Sequence, residues 1–177
     1  MRIFAILAAT GAMAALGACG EQASAPVAPA DKSPAGAALP TVPEVAAPAV
    51  LPTVDVAAAQ ALLTDDETVE AVNFDLVGST TVTGSVVGYK TKVYAVPVLA
   101  GQTLTVTLEP VGNTNLYVNV HDVANATGEA VHQGDMAVAT ASFVAANDGV
   151  YLVRPWQFRA IARRDTESAY SIVIERK

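Results

Sequence analysis

The feature that most constrains the fold is an alternation of apolar and polar residues with a period of two. It is clearest in residues 103–108, where leucine and valine alternate with three threonines. Successive side chains of a β-strand point to opposite faces, so this segment predicts a strand with one face in a core and the other in solvent. The same alternation near the C terminus predicts a last strand whose core face carries Tyr170, Ile172 and Ile174.

Several further segments rich in Val, Thr, Ile and Tyr are typical of strands: 80–87, 93–99, 116–120, 137–143, 149–154 and 169–175. Turn residues separate them at 100–101, 111–113, 126–128 and 147–149. Short strands at this spacing indicate an antiparallel sandwich or barrel, and we expect a single all-β antiparallel sandwich of about seven to eight strands. Gly84 interrupts one strand pattern and predicts a β-bulge there.

The N terminus has the pattern of a secretory signal peptide. Arg2 precedes an apolar run over residues 3–16, which is short for a membrane span of about 20 residues. The ending Leu16-Gly17-Ala18-Cys19 resembles the lipobox of bacterial lipoproteins. That resemblance implies a lipoprotein signal peptide over residues 1–18, cleavage before Cys19 and acylation of that cysteine. Gly20 follows in place of aspartate, which favours the outer membrane, facing the periplasm. The alternative is an ordinary secreted protein whose only cysteine falls here by chance.

Residues 19–63 are interpreted as the lipidated cysteine and a disordered Ala/Pro-rich tether, and residues 64–177 as the folded domain. Seven prolines disfavour helix and strand in this tether: Pro26, Pro29, Pro34, Pro40, Pro43, Pro48 and Pro52. Its last part, residues 54–63, forms either a short helix or more tether. The following 64–67 stretch fits a capping box or solvated turn. A Ca²⁺ site is the alternative, but the EF-hand ligand spacing is absent; its ligands would be Asp65, Asp66, Glu67 and Glu70.

Charge and motifs exclude several functions. Seventeen acidic against ten basic residues give a net charge of −7, whereas binding to nucleic-acid phosphates needs a basic surface. No Gly-x-Ser-x-Gly, phosphate-binding loop or His-Glu-x-x-His motif is present. His121 and His132 lack the spacing of metal ligands. We therefore expect a non-enzyme without cofactor or metal.

A cluster of arginines stands out in this acidic chain. Four of the ten basic residues lie between positions 154 and 164, around Trp156 and Phe158. They are Arg154, Arg159, Arg163 and Arg164. Arginine and tryptophan are enriched at binding hot spots, and the planar guanidinium can hold a carboxylate through two hydrogen bonds. The alternative is that Asp165 and Glu167 pair with these arginines inside the domain and that Trp156 is a core residue.

The C-terminal half carries a family resemblance. Its parts are residues 94–104 (YAVPVLAGQTL), 115–120 (NLYVNV), 149–154 (GVYLVR), 159–164 (RAIARR) and 170–172 (YSI). Together they resemble the bacterial periplasmic inhibitors of g-type (goose-type) lysozyme over about residues 80–175. The resemblance implies an antiparallel β-sandwich that blocks the substrate groove of the lysozyme with inserted loop side chains.

The resemblance also assigns residues to this role. It implies that Arg159 and Arg163 bind lysozyme, with Arg154 and Arg164 beside them and Tyr89 as a tyrosine from another loop. The expected function is a membrane-anchored periplasmic lysozyme inhibitor with an arginine-bearing loop. Two alternatives stay open: a glycan- or peptidoglycan-binding sandwich in which Trp156 stacks on sugar, and a non-catalytic accessory domain like those of secreted peptidases.

Overall fold

A computed structural model describes residues 49–112, 115–125, 127–135 and 139–177. The predicted signal peptide, Cys19 and residues 20–48 of the tether lie outside the described residues. Two short helices are present in the described ranges, α1 (Val56–Gln60) and α2 (Arg159–Ala162), and no helix there is long and apolar enough to cross a membrane. The strands are β1 (Glu67–Ala71), β2 (Gly78–Val87), β3 (Thr91–Val98), β4 (Thr103–Val111), β5 (Leu116–Asp122), β6 (Ala130–His132), β7 (Thr140–Val144), β8 (Gly149–Gln157) and β9 (Glu167–Arg176).

The strands form two sheets, which confirms the predicted all-β sandwich. The five-stranded sheet has the order β1-β3-β8-β5-β6, and the four-stranded sheet has the order β2-β9-β4-β7. Neighbouring strands are antiparallel except β1 and β3, which are parallel. The two strands that the alternation did not predict, β1 and β6, are five and three residues long and lie at the edges of their sheet.

The core lies between the two sheets and follows the predicted alternation. The core face of β9, namely Tyr170, Ile172 and Ile174, is at most 1% exposed. In β4 the leucines and valine of residues 104–108 are buried, while the alternate threonines are partly exposed. Burying one such aliphatic side chain stabilises the fold by about 1.5–3 kcal/mol. These inward faces therefore hold the two sheets together.

Gly84 marks a close contact and not a bulge, so that prediction is wrong. The pairing of β2 with β9 is regular through Gly84 and Tyr170. A Cβ atom on Gly84 would lie 2.6 Å from the Tyr170 hydroxyl oxygen and 3.1 Å from that of Tyr94. The two tyrosine hydroxyls are 3.1 Å apart in the core, where burial raises the pKa of both. Only glycine leaves room for this hydroxyl pair.

We expect Gly84→Ala to destabilise the domain by about 1–3 kcal/mol, because the added methyl must displace two enclosed tyrosine tips. The measurement is urea unfolding followed by circular dichroism. Ser79→Ala is the matched control, since Ser79 is an exposed residue of the same strand. Equal unfolding midpoints for the two variants would contradict the close packing.

Residues 54–63 pack against the outer face of the five-stranded sheet. Asp55 caps α1 by accepting a hydrogen bond from the Ala58 amide at 2.9 Å. Ala59 is 1% exposed and packs on the outer face of the five-stranded sheet. The side chain of Gln60 donates to the Glu67 carbonyl at 2.8 Å and accepts from the Val69 amide at 2.9 Å. The sequence left open whether residues 54–63 form a short helix or extend the tether, and the structure has the short helix α1.

Candidate functional site

A pocket of about 810 Å³ brings together segments that are far apart in sequence. Its walls come from residues 64–67, 86–91, 133–135 and 154–159, together with Asn119. Three of the predicted binding residues line it, namely Tyr89, Arg154 and Arg159. Arg163 and Arg164 lie just beyond, on the segment that continues from α2.

Arg154 is held inside the domain by a carboxylate. Its Nε and Nη2 atoms donate to the two carboxylate oxygens of Glu67, the second at 2.7 Å. Glu67 is 4% exposed, and its Oε2 also accepts from the Thr64 amide at 3.1 Å and the Thr64 hydroxyl at 2.9 Å. The partner of Arg154 is thus Glu67, and neither Asp165 nor Glu167. The 64–67 stretch makes one half of a capping box, because the Glu67 carboxylate accepts from the Thr64 amide, while the Glu67 amide donates to the Thr64 carbonyl at 3.0 Å. Strand β1 follows this turn instead of a helix.

The other three arginines are exposed on a short loop. Arg159, Arg163 and Arg164 are exposed and form no ion pair within the described ranges. Ala162 is 1% exposed and anchors α2 against the domain. The loop then turns at Asp165, which has a left-handed φ of 50°. In a chain of net charge −7, this loop concentrates three exposed arginines, with the carboxylates of Asp165 and Glu167 next to them in sequence.

The turn that carries Tyr89 packs against the arginine loop. Gly88 has a left-handed φ of 62°, and a Cβ there would lie 2.6 Å from the Asp165 carboxylate and 3.4 Å from the Ala162 carbonyl. Glycine is therefore required both by the backbone conformation and by the contact. Tyr89 itself is 52% exposed. The contact places the turn of Tyr89 against the loop that carries the exposed arginines.

Gln157 fixes both loops and was not singled out in the sequence. Its Nε2 donates to the carbonyls of Gly88, at 3.1 Å, and Thr166, at 3.0 Å. Its Oε1 accepts from the Ser168 hydroxyl at 3.0 Å, and the residue is 5% exposed. A glutamine at the end of a strand pattern gives no signal in sequence, because its partners are backbone atoms of two distant turns.

We expect Gln157→Leu to destabilise the domain by about 1–3 kcal/mol, since it removes the Nε2 donor from the buried Gly88 carbonyl and from the partly buried bond to the Thr166 carbonyl. Chemical denaturation measures this effect. The matched control is Gln133→Leu, because Gln133 lines the same pocket but is exposed. A Gln157 variant as stable as the Gln133 variant would show that the two turns do not depend on this side chain.

Trp156 is neither fully buried nor free of contacts. Its ring centroid lies 4.8 Å from that of Tyr117 and 5.6 Å from that of Phe158, the latter edge-on. Its Nε1 donates to Oδ1 of Asn119 at 3.0 Å, and the same oxygen accepts from the Gly134 amide at 3.0 Å. These contacts hold the indole in one orientation in the pocket wall.

Two of the acidic side chains considered for a Ca²⁺ site, and one histidine, have partners within the domain. Glu70 pairs with Lys92 at 2.9 Å, and Glu67 pairs with Arg154, which removes two ligands from the alternative Ca²⁺ site. Nδ1 of His121 lies 3.1 Å from the Gly128 carbonyl oxygen. In the part of the chain that the structure describes, no three His, Cys, Asp or Glu side chains are arranged to hold a metal ion.

No protein-family model matches the chain, and no curated protein matches it. Among solved structures it is similar to Aeromonas hydrophila PliG, a periplasmic lysozyme inhibitor of g-type lysozyme, with 29% identity and a TM-score of 0.55. That match covers 63% of this chain and 97% of the inhibitor. A mutant of the Escherichia coli PliG is 20% identical, with a TM-score of 0.49 and 63% and 98% of the two chains covered. Salmonella Typhimurium PliG is also 20% identical, with a TM-score of 0.48 and coverage of 62% and 97%.

Proposed function

We propose that this protein is a periplasmic inhibitor of g-type lysozyme that blocks the substrate groove of the enzyme with its α2 loop. The observation that carries the proposal is the exposed, unpaired arginines of that loop, next to Tyr89. The similarity to Aeromonas PliG, which extends over 97% of that inhibitor, supports it. A non-catalytic accessory domain would not require this concentration of exposed arginines, whereas binding to an acidic groove would.

Electrostatics explains how such a loop inhibits. Lysozymes cleave with carboxylates placed in a groove that binds an extended sugar chain. A guanidinium offers positive charge and paired donors that match a carboxylate. An arginine loop that enters the groove occupies the position of the substrate and neutralises the acidic groups. No covalent bond forms or breaks, so the protein acts as an inhibitor without being an enzyme.

The residues divide into two roles under this proposal. Arg159 and Arg163 enter the groove, and Arg164 and Tyr89 contact its rim. Arg154 lies behind them in the pocket wall and contributes through its ion pair with Glu67, which joins β8 to the start of β1. Its guanidinium has both Nε and Nη2 engaged, so it is a supporting residue in this arrangement.

The experiment is titration of the purified full chain, in detergent, against g-type, c-type and i-type lysozymes acting on peptidoglycan. We expect the g-type enzyme to lose activity at the lowest inhibitor concentration. A peptidoglycan pull-down without lysozyme runs in parallel. Inhibition of no lysozyme, with retention on peptidoglycan, would replace this proposal by the glycan-binding alternative.

We further propose that the inhibitor is a lipoprotein of the outer membrane, with residues 1–18 removed, Cys19 acylated and the following proline-rich segment as the tether. The lipobox-like ending supports this, and two or more acyl chains give stable anchoring where one is marginal. A periplasmic face places the domain where an incoming lysozyme attacks the cell wall.

Cys19→Ala is expected to move the protein from the membrane fraction to the soluble fraction, because the acylated thiol is lost. Fractionation of a bacterial host that expresses either form measures the shift. Gly20→Ala is the control that keeps the cysteine. Equal recovery of wild type and Cys19→Ala in the soluble fraction would contradict the anchor.

A further inference from the structure

We propose that the pocket of about 810 Å³ is a glycan subsite that takes an N-acetylated amino sugar. Its volume falls in the range of roughly 300–1,000 Å³ that is usual for small-molecule sites. The site shares Tyr89 and Arg159 with the proposed lysozyme-binding surface, whereas Trp156, Asn119 and Gln133 of its concave wall have no role in that proposal.

Aromatic rings supply the apolar part of the site. Trp156, Tyr89 and Phe158 all line the pocket, and the last two are 52% and 40% exposed. The C–H faces of a pyranose ring pack on such aromatic surfaces, which bury large apolar areas with few rotatable bonds. The indole is already fixed by its hydrogen bond to Asn119 and by its contact with Tyr117, so little conformational entropy is lost on binding.

Amide groups supply the part that selects the N-acetyl group. Oδ1 of Asn119 already accepts two hydrogen bonds, from Trp156 and Gly134, so the side chain offers a ligand its Nδ2 donor. A carboxamide donor next to an aromatic ring suits an acetamido group, whose carbonyl accepts the bond while its methyl packs on the ring. Gln133, an exposed residue of the same wall, offers a second amide.

The charges of the wall favour a neutral ligand. Arg154 and Glu67 face the pocket but neutralise each other through paired hydrogen bonds. The remaining charged lining residues are Asp66, Asp135 and Arg159, which are of mixed sign. A strongly acidic or basic ligand would meet a like charge on one side, whereas a neutral sugar unit would not.

The test uses the full chain in detergent and two probes of equal length, tetra-N-acetylchitotetraose and cellotetraose, which lacks acetamido groups. Titration calorimetry or NMR shifts follow binding. We expect the acetylated probe to bind at least 10-fold more tightly than cellotetraose. No binding at millimolar concentration, or equal binding of both probes, would overturn the proposal.

Variants locate the site. Phe158→Ala and Gln133→Ala are expected to weaken binding of the acetylated probe several-fold, whereas Val144→Ala, an exposed apolar residue of the other sheet, leaves it unchanged. If neither pocket variant changes the affinity for the acetylated probe, the assignment is overturned.

Arg163 lies outside the pocket lining. Arg163→Ala therefore reports on lysozyme inhibition alone, and the two proposals fail independently.

Discussion

Arg159→Ala and Arg163→Ala are each expected to weaken inhibition of g-type lysozyme by roughly 30-fold or more. Truncating one member of a buried, hydrogen-bonded charge pair costs about 2–5 kcal/mol, because the partner charge stays desolvated and unpaired. At about 1.4 kcal/mol per factor of ten, the lower limit corresponds to roughly 30-fold. Both side chains are exposed and unpaired in the described structure, so their removal costs the fold little.

The measurement is the inhibition constant for each variant against g-type lysozyme, with circular dichroism as the test of folding. Arg→Lys at either position should restore inhibition only in part, because an ammonium lacks the planar paired donors of a guanidinium. Arg164→Ala serves as the neighbouring control, with a smaller loss that acts mainly on the association rate. If both alanine variants stay folded and inhibit like wild type, the loop is not the inhibitory site.

Arg176→Met is expected to destabilise the domain by about 3 kcal/mol or more, the largest stability effect that we predict for a single residue. Arg176 is 0% exposed. Its Nη1 donates to the Pro97 carbonyl, and its Nη2 donates to the carbonyls of Phe74 at 2.6 Å and Asp75 at 2.9 Å. The guanidinium also stacks on the Phe74 ring at 3.8 Å, and burial lowers its pKa.

The physical reason is that three carbonyls depend on one cation. Methionine fills much of the same volume but donates no hydrogen bond, so the carbonyls between β1 and β2 and the one on β3 lose their donors. Lys177→Met is the control, because the Lys177–Glu175 pair is at the surface and such pairs contribute about 0–1 kcal/mol. Urea unfolding compares the two. Equal midpoints would show that the buried guanidinium does not hold the segment between β1 and β2.

The alternation of residue types predicted the strands that bury one face. In β4 and β9 the period of two identified the core side chains, because burial of a strand face leaves a direct mark on the sequence. The same rule places Arg176 on the core face, two residues after Ile174. The sequence interpretation ended the strand at Glu175, one residue before Arg176. The carbonyls that accept from Arg176 lie on β3 and between β1 and β2, far from it in sequence, so no local pattern reveals them.

The proposed binding surface was partly predictable for a related reason. Four arginines close in sequence remain a visible cluster, and the structure brings Tyr89 next to them through the contact of Gly88 with Asp165. The separate role of Arg154 was not predictable, since its partner Glu67 lies 87 residues earlier in the chain. Pairing across a sheet depends on strand order, and the short parallel β1 gave too weak an alternation to place Glu67 there.

Hydrogen exchange of the full chain with and without g-type lysozyme tests the central claim most directly, because it maps the contact without relying on a variant. We expect slower exchange in the complex at the backbone amides of Gly88, Tyr89 and residues 158–166. The outer face of the four-stranded sheet should exchange at the same rate in both states. Unchanged exchange in the loops, or protection confined to that sheet, would contradict the proposed binding surface.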